Sequence, residues 1–376
     1  MSNTSVDRAR ERGRGREADG PLQIPVKGWK DILVRTFAKI GKDRVTLIAA
    51  GVTYFLLLAI FPSITAVVSI YGLVADPLTV NQNVAALSSI LPTGALNILD
   101  EQLTMITTQG TPTLGFALIV SLALALWSAS AGIKSMFEAM NIAYDETEKR
   151  NFFQLSLLGL VFTVGGVIAA IAMFGTVIAI PLILGIFGFG TGLEWLVQIG
   201  SYVVLVAILF AGIAALYRFG PSRQQAKWRW VTPGAALSVA VVIIVSLLFS
   251  WYAANFANYD KTYGSLGALI GLLTWIWISV MVVIVGAELD SELEHQTAKD
   301  STIGAPAPLG EREAMMADTV GKKAGTEKKV VDPFALSEDW QAGYAKGLRD
   351  GKLPQKRLPL QFALPLATLL GSLRRR

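Results

Sequence analysis

The chain has 376 residues, 53% hydrophobic and only 16% charged, with a mean hydropathy of +0.51. A soluble domain carries about 25% charged residues, so the composition excludes a disordered chain and argues against a soluble globular enzyme. The formal charge is +5, but residues 1–44 hold 17 charges, residues 291–376 hold 25, and the 246 residues between hold 19. That distribution divides the chain into a basic arm (1–44), a membrane domain (45–290) and a polar tail (291–376).

With no cysteine there is no disulfide framework and no thiolate chemistry, and a single histidine, His295, excludes multi-histidine metal centres. No metal or cofactor site is expected. Basic tails beside a membrane domain point to membrane lipids with anionic headgroups as partners, and no nucleic acid is expected. A homo-oligomer is compatible with this composition.

The N-terminus opens with the run RARERGRGR (Arg8–Arg16) and has neither the apolar core nor the cleavage site of a signal peptide. Residues 1–26 read as disordered, because they offer few apolar side chains against chain entropy. From Val26 to Lys42, Ile32, Leu33, Val34, Phe37 and Ile40 recur among Lys30, Arg35 and Lys39. This predicts an amphipathic helix on the cytoplasmic membrane surface, the alternative being a solvated arm.

Six stretches reach the ~20 apolar residues that a span requires: Val45–Val74, Thr113–Phe137, Phe152–Ile183, Leu193–Tyr217, Trp230–Phe256 and Leu266–Ala287. Pro62 interrupts the first, which is read as one kinked span, a helix pair being the alternative. Residues 75–112 and 184–192 contain no Lys or Arg, and 257–265 only Lys261; residues 134–151 and 218–229 carry seven between them. Cytoplasmic loops are the Lys/Arg-rich ones, so the expectation is an all-α, polytopic membrane protein with six transmembrane helices and both termini cytoplasmic. The outer loop Asp76–Thr111 has helical spacing split by Pro92 and Gly94, which predicts two short helices on the outer face.

Three blocks then carry a resemblance. AAGVTYFLLLAIFPSITAVVSIYGLV (Ala49–Val74), LWSASAGIKSMFEAMNIAYDETEKRNFF (Leu126–Phe153) and the stretch Trp228–Glu294 with ANFANYDKTYGSLGALIG resemble the YihY/BrkB family of bacterial inner-membrane proteins, long labelled ribonuclease BN. The resemblance implies six helices and an inner-membrane location. It implies no settled activity.

The richest polar signal is a stripe on the second span: Trp127, Ser130, Lys134, Glu138, Asn141, Tyr144, Asp145 and Glu148, mostly three or four residues apart. Lys134 and Glu138 sit one turn apart and can pair. Ionisable groups near a bilayer usually face a bundle interior or an aqueous cavity, so the stripe is either a cavity wall or a structural ion pair on a helix entering water.

Asn255, Tyr259, Tyr263 and Gly264 form a second cluster, read as a hydrogen-bonded turn or a substrate site, with Gly267 and Gly271 as a helix-packing step. The acidic run Glu288, Asp290, Glu292 and Glu294 opposes its helix dipole. Arg218, Arg223 and Arg229 are its expected partners in a cytoplasmic clasp, with His295 a solvated neighbour. GIFGFGTG (Gly185–Gly192) lacks the Gly-Lys-Ser/Thr of a phosphate loop, and no G-x-S-x-G or H-E-x-x-H motif is present. No catalytic residue is therefore assigned. The tail reads as linker up to Asp332, and Leu358–Arg376 as a basic surface anchor. The functional classes left are a transporter of an amphiphilic envelope solute or lipid, a non-transporting scaffold, and, least supported, a ribonuclease.

Overall fold

A computed structural model describes residues 3–74, 111–187, 191–255 and 266–324. The outer loop 75–110, the residues Tyr259, Tyr263 and Gly264, and the C-terminal anchor all lie outside the described residues.

Helices α1 (Asn3–Ala9) and α2 (Val26–Lys42) precede six long helices: α3 (Val45–Val74), α4 (Thr111–Ala143), α5 (Phe152–Phe187), α6 (Thr191–Phe219), α7 (Trp228–Asn255) and α8 (Leu266–Glu294). A one-turn helix, α9 (Met315–Asp318), follows. Among the described residues, five helices are long and apolar enough to cross a membrane, and Val45–Ala59 within α3 is a shorter apolar stretch. The α3 backbone runs unbroken through Pro62 to Val74. This favours one helix over a pair at that point.

Consecutive long helices pack on one another, α8 closes the ring against α3, and α8 also touches α4 and α2. The connections after α4, α5 and α6 are short, which makes those neighbours antiparallel. Polar residues inside the apolar helices satisfy themselves locally, as dry surroundings require: the hydroxyls of Thr53, Thr163, Ser246 and Thr274 each donate to the carbonyl four residues back.

Helix ends near charged residues are sharply built. At the end of α4, Asp145 takes a left-handed φ of 52°, with Asp145 N bonded to Ile142 O and Glu146 N to Asn141 O, a Schellman closure of the last turn. At the start of α5, Asn151 Oδ1 accepts from Gln154 N at 2.9 Å and Gln154 Oε1 accepts from Asn151 N at 3.2 Å, a reciprocal capping box.

The most completely buried side chains gather at the end where α4 and α8 finish: Phe137, Met140, Tyr144, Tyr217, Trp230, Ile284 and Leu293. Along the rest of the bundle, Ile119, Leu160, Ile171, Trp195, Val203, Leu247 and Trp251 are exposed, an apolar girdle that only lipid would cover at low cost.

Both termini differ from expectation. Residues 3–24 and 295–324 are not free chain; they interlock over the end of α8. The Arg16 guanidinium, 3% exposed, donates to Gln296 O at 3.1 Å and Gly321 O at 2.7 Å. Thr297 Oγ1 donates to Ala18 O, and Arg8 to Val320 O. Backbone carbonyls, which composition does not display, supply most of the acceptors. That is why the order is invisible in the sequence.

Candidate functional site

The stripe on α4 divides between three environments. Trp127 is 74% exposed and belongs to the girdle, while Ser130 is buried. Lys134 Nζ donates to Ser156 Oγ at 3.0 Å and stands 5.6 Å from the centre of the Phe152 ring, both on α5. Glu138 is exposed, and no ion pair joins it to Lys134 among the described residues. The expected pair is thus replaced by a lysine held across the groove. The hydroxyl and the aromatic face provide a partner without the unfavourable Lys-before-Glu geometry.

Asn141 is a junction: Nδ2 donates to Glu148 Oε2 at 2.9 Å, and Oδ1 accepts from Ser222 N at 2.7 Å. Glu148 also takes the Arg150 guanidinium at 2.7 Å, and Arg150 reaches the carbonyls of Phe219 and Gly220. Burial works against the charged form of Glu148, but the Arg150 and Asn141 hydrogen bonds outweigh it and hold its pKa at about 2. Tyr144 turns the other way: it is fully buried, beneath the Arg223 guanidinium at 4.2 Å.

Lys134, Glu138, Asn141 and Glu148 line one cavity of about 560 Å³, closed by Phe55, Leu155, Ile142, Glu146 and Thr147. Its lining combines charged and amide groups with aromatic and aliphatic carbon. Its volume falls within the ~300–1,000 Å³ of small-molecule sites. Of the stripe, Trp127, Ser130, Tyr144 and Asp145 are not part of that lining.

Of the three arginines expected to partner the acidic run on α8, only Arg223 does so among the described residues. Arg223 Nη2 meets Glu294 Oε1 at 2.5 Å and Nη1 meets Oε2 at 3.0 Å, a bidentate pair with side chains 1% and 0% exposed. Arg218 instead lies 4.2 Å over the Trp228 ring, and Arg229 is exposed near Asp19. Glu288 does not pair with either: Lys39 Nζ stands 3.3 Å from it, and Arg35 Nε meets Glu292 Oε2 at 2.5 Å. The clasp therefore comes from α2 as well as from the loop after α6. Docking across more than 250 residues of sequence leaves no local signal. Asp290 Oδ1 accepts from Gly234 N at 2.6 Å, beside Pro233 on α7. His295 is only partly exposed, with Nδ1 3.4 Å from Glu292 Oε2.

At the corner between α2 and α3, Asp43 stands 4.0 Å from Lys39 and 3.9 Å from Lys42. Burial pushes its carboxyl pKa up, and the two lysines only partly offset this.

Among the described glycines within the long helices, the closest approach is at Gly234 and Gly286. A methyl on Gly286 would strike Ser238 Oγ, Tyr217 Oη and Gly234 O, and one on Gly234 would strike Gly286 O. At Gly271 a methyl would meet only Phe249 Cζ, at 3.9 Å, and Gly267 is buried. Tyr217 ties the same crossing, its hydroxyl within 2.7 Å of Ser238 Oγ and 2.5 Å of Val283 O.

The family model for virulence factor BrkB matches residues 36–309. A ribonuclease-like protein of Bacillus subtilis (strain 168), YfkH, is 30% identical over 266 residues, 66% of this chain and 90% of the relative. A UPF0761 membrane protein of Xanthomonas campestris pv. campestris (strain B100) is 30% identical over 177 residues, 47% of this chain but only 39% of the relative. No solved structure matches. The family match spans every long helix from α3 to α8 and the clasp residues Lys39 to Glu294, so the chain belongs to the virulence factor BrkB family of membrane proteins.

Proposed function

We propose that this protein moves an amphiphilic solute, a lipid or envelope intermediate, across or between the leaflets of the bacterial inner membrane. The observation that carries this reading is the cavity whose wall joins Lys134, Glu138, Asn141 and Glu148 to Phe55 and Leu155. A charged headgroup and an apolar chain both find complementary groups in such a site. In this reading six helices span the bilayer, α3 included, with both termini in the cytoplasm. The support is the Lys/Arg excess in the loops that meet through Arg150, Phe219 and Gly220. The protein acts without catalytic residues. A non-transporting scaffold would use the same helices but has no need of the cavity.

Two measurements test this. Single cysteines in this cysteine-free chain at Ala95, Gly188 and Asp260 should react with an impermeant thiol reagent from outside, and those at Asp145, Gln224 and Asp300 only after lysis. Purified protein in liposomes should redistribute a labelled lipid between leaflets, and Lys134→Ala should slow it while leaving the thermal midpoint within a few degrees. Unchanged lipid distribution, with and without an ion gradient, would shift the assignment to a scaffold. RNA cleavage that survives purification and disappears in a point variant would overturn both.

A further inference from the structure

Helix α2 is mounted inside out. A helix on the surface of a soluble fold turns its apolar stripe inward, yet the residues α2 buries are Gly28, Asp31, Ile32, Arg35, Thr36 and Lys39. The opposite face carries Val26 at 86% exposure, Leu33 at 47%, Val34 at 40% and Phe37 at 76%. Lys27 and Lys30 are exposed on the same side, whereas Lys42 turns to Asp43 and Asp145.

The charged face is fully engaged. Asp31 accepts from Arg14 and from Ala324 N. Arg35 donates to Glu292, Gln296 Oε1 and Lys322 O. Lys39 donates to Ala143 O at 2.6 Å beside Glu288. Rotating α2 to hide its apolar ridge would strand these groups, so their contacts lock the orientation. Only Asp43 and Arg44 separate α2 from α3, and Arg44 is exposed in a left-handed turn with φ 52°. The ridge is therefore tethered at the level where α3 meets its end of the bundle.

We propose that the outward face of α2 docks on an anionic phospholipid leaflet, with Val26, Leu33, Val34 and Phe37 at the headgroup–acyl boundary and Lys27 and Lys30 on lipid phosphates. An apolar ridge edged by lysines fits that surface in both chemistry and charge. A second protein copy would cover the ridge but would leave the lysines without an anionic partner. The docking does not depend on whether the protein transports anything.

The test uses the full chain in nanodiscs of phosphatidylcholine, with or without half phosphatidylglycerol. Spin labels on Leu33→Cys and Phe37→Cys should collide more with oxygen than with a water-soluble nickel chelate. Chelate-dominated collisions at Leu33 and Phe37 would place the face in water and overturn the proposal. Low collision with both reagents would mean that protein covers the face, and would overturn it as well. Separately, Lys27→Gln and Lys30→Gln should each lower retention of phosphatidylglycerol over phosphatidylcholine roughly fivefold at low salt, without moving the thermal midpoint. Unchanged retention in the double variant would also overturn it.

Discussion

At the scale of single residues, two carboxyls at the charged end titrate with opposite consequences for stability. The Glu148 pKa is held at about 2 by Arg150 and Asn141, below the ordinary 4.5. Its contribution is present above the ordinary value and fades as pH falls from 4.5 toward 2. Asp43 is pushed up by burial, so the folded protein holds its proton more tightly than the unfolded chain does. Its stabilising effect belongs to low pH and is lost as pH rises through the raised value. Thermal midpoints of the detergent-solubilised protein should show both. Glu148→Gln should flatten the acid limb, and Asp43→Asn should raise the midpoint at neutral pH. A lower neutral midpoint for Asp43→Asn would mean that its charge is needed by Lys39 and Lys42. Glycine positions separate as cleanly. Gly286→Ala has nowhere to put its methyl among Ser238, Tyr217 and the Gly234 carbonyl, and should cost about 1–3 kcal/mol as an overpacked contact. Gly271→Ala should stay within about 0.5 kcal/mol, because a methyl there meets an ordinary van der Waals neighbour.

Between elements, the bidentate Arg223–Glu294 pair joins the loop after α6 to the end of α8 with both side chains essentially dry. Such a pair adds little net stability over an apolar isostere, but removing one partner strands the other, at about 3–5 kcal/mol. Glu294→Gln should therefore unfold the protein at markedly lower denaturant, and Arg223→Met combined with Glu294→Leu should recover most of the loss. Ser301 Oγ also donates to Glu294 at 2.7 Å, so its hydroxyl is left unpaired in the double variant and recovery stops short of complete. If the single and double variants are equally unstable, the pair is not what holds that loop.

Across the whole molecule, the interlocked segments 3–24 and 295–324 are an integral part of the charged end. Arg312, 5% exposed, donates to the carbonyls of Ala298, Ala307 and Ala317. Trypsin should not cut after it in the native protein. Arg16→Ala removes the donor to Gln296 and Gly321, and cleavage after Arg312 should then appear at native conditions. Equal protection would show that the tail folds without the arm.

How much of this is legible in the sequence follows the range of the interactions. Membrane class, the helical spans and the family are readable there, because hydropathy and helical period are local properties that any neighbour in a bilayer leaves intact. So is α2, with the same bounds, Val26–Lys42. Its rotation is not. Arg35 and Lys39 look like a solvated face until Glu292 and Glu288 arrive from the far end of the chain, and a buried charge is tolerated only beside such a partner. The stripe on α4 is visible as spacing, yet spacing treats Trp127, Lys134 and Tyr144 alike. Packing separates them: Trp127 is exposed, Lys134 lines the cavity beside α5, and Tyr144 lies under Arg223. By itself the sequence determined which segments avoid water. Tertiary structure alone decided which charges join them there, because each buried charge depends on a partner that only folding brings within reach.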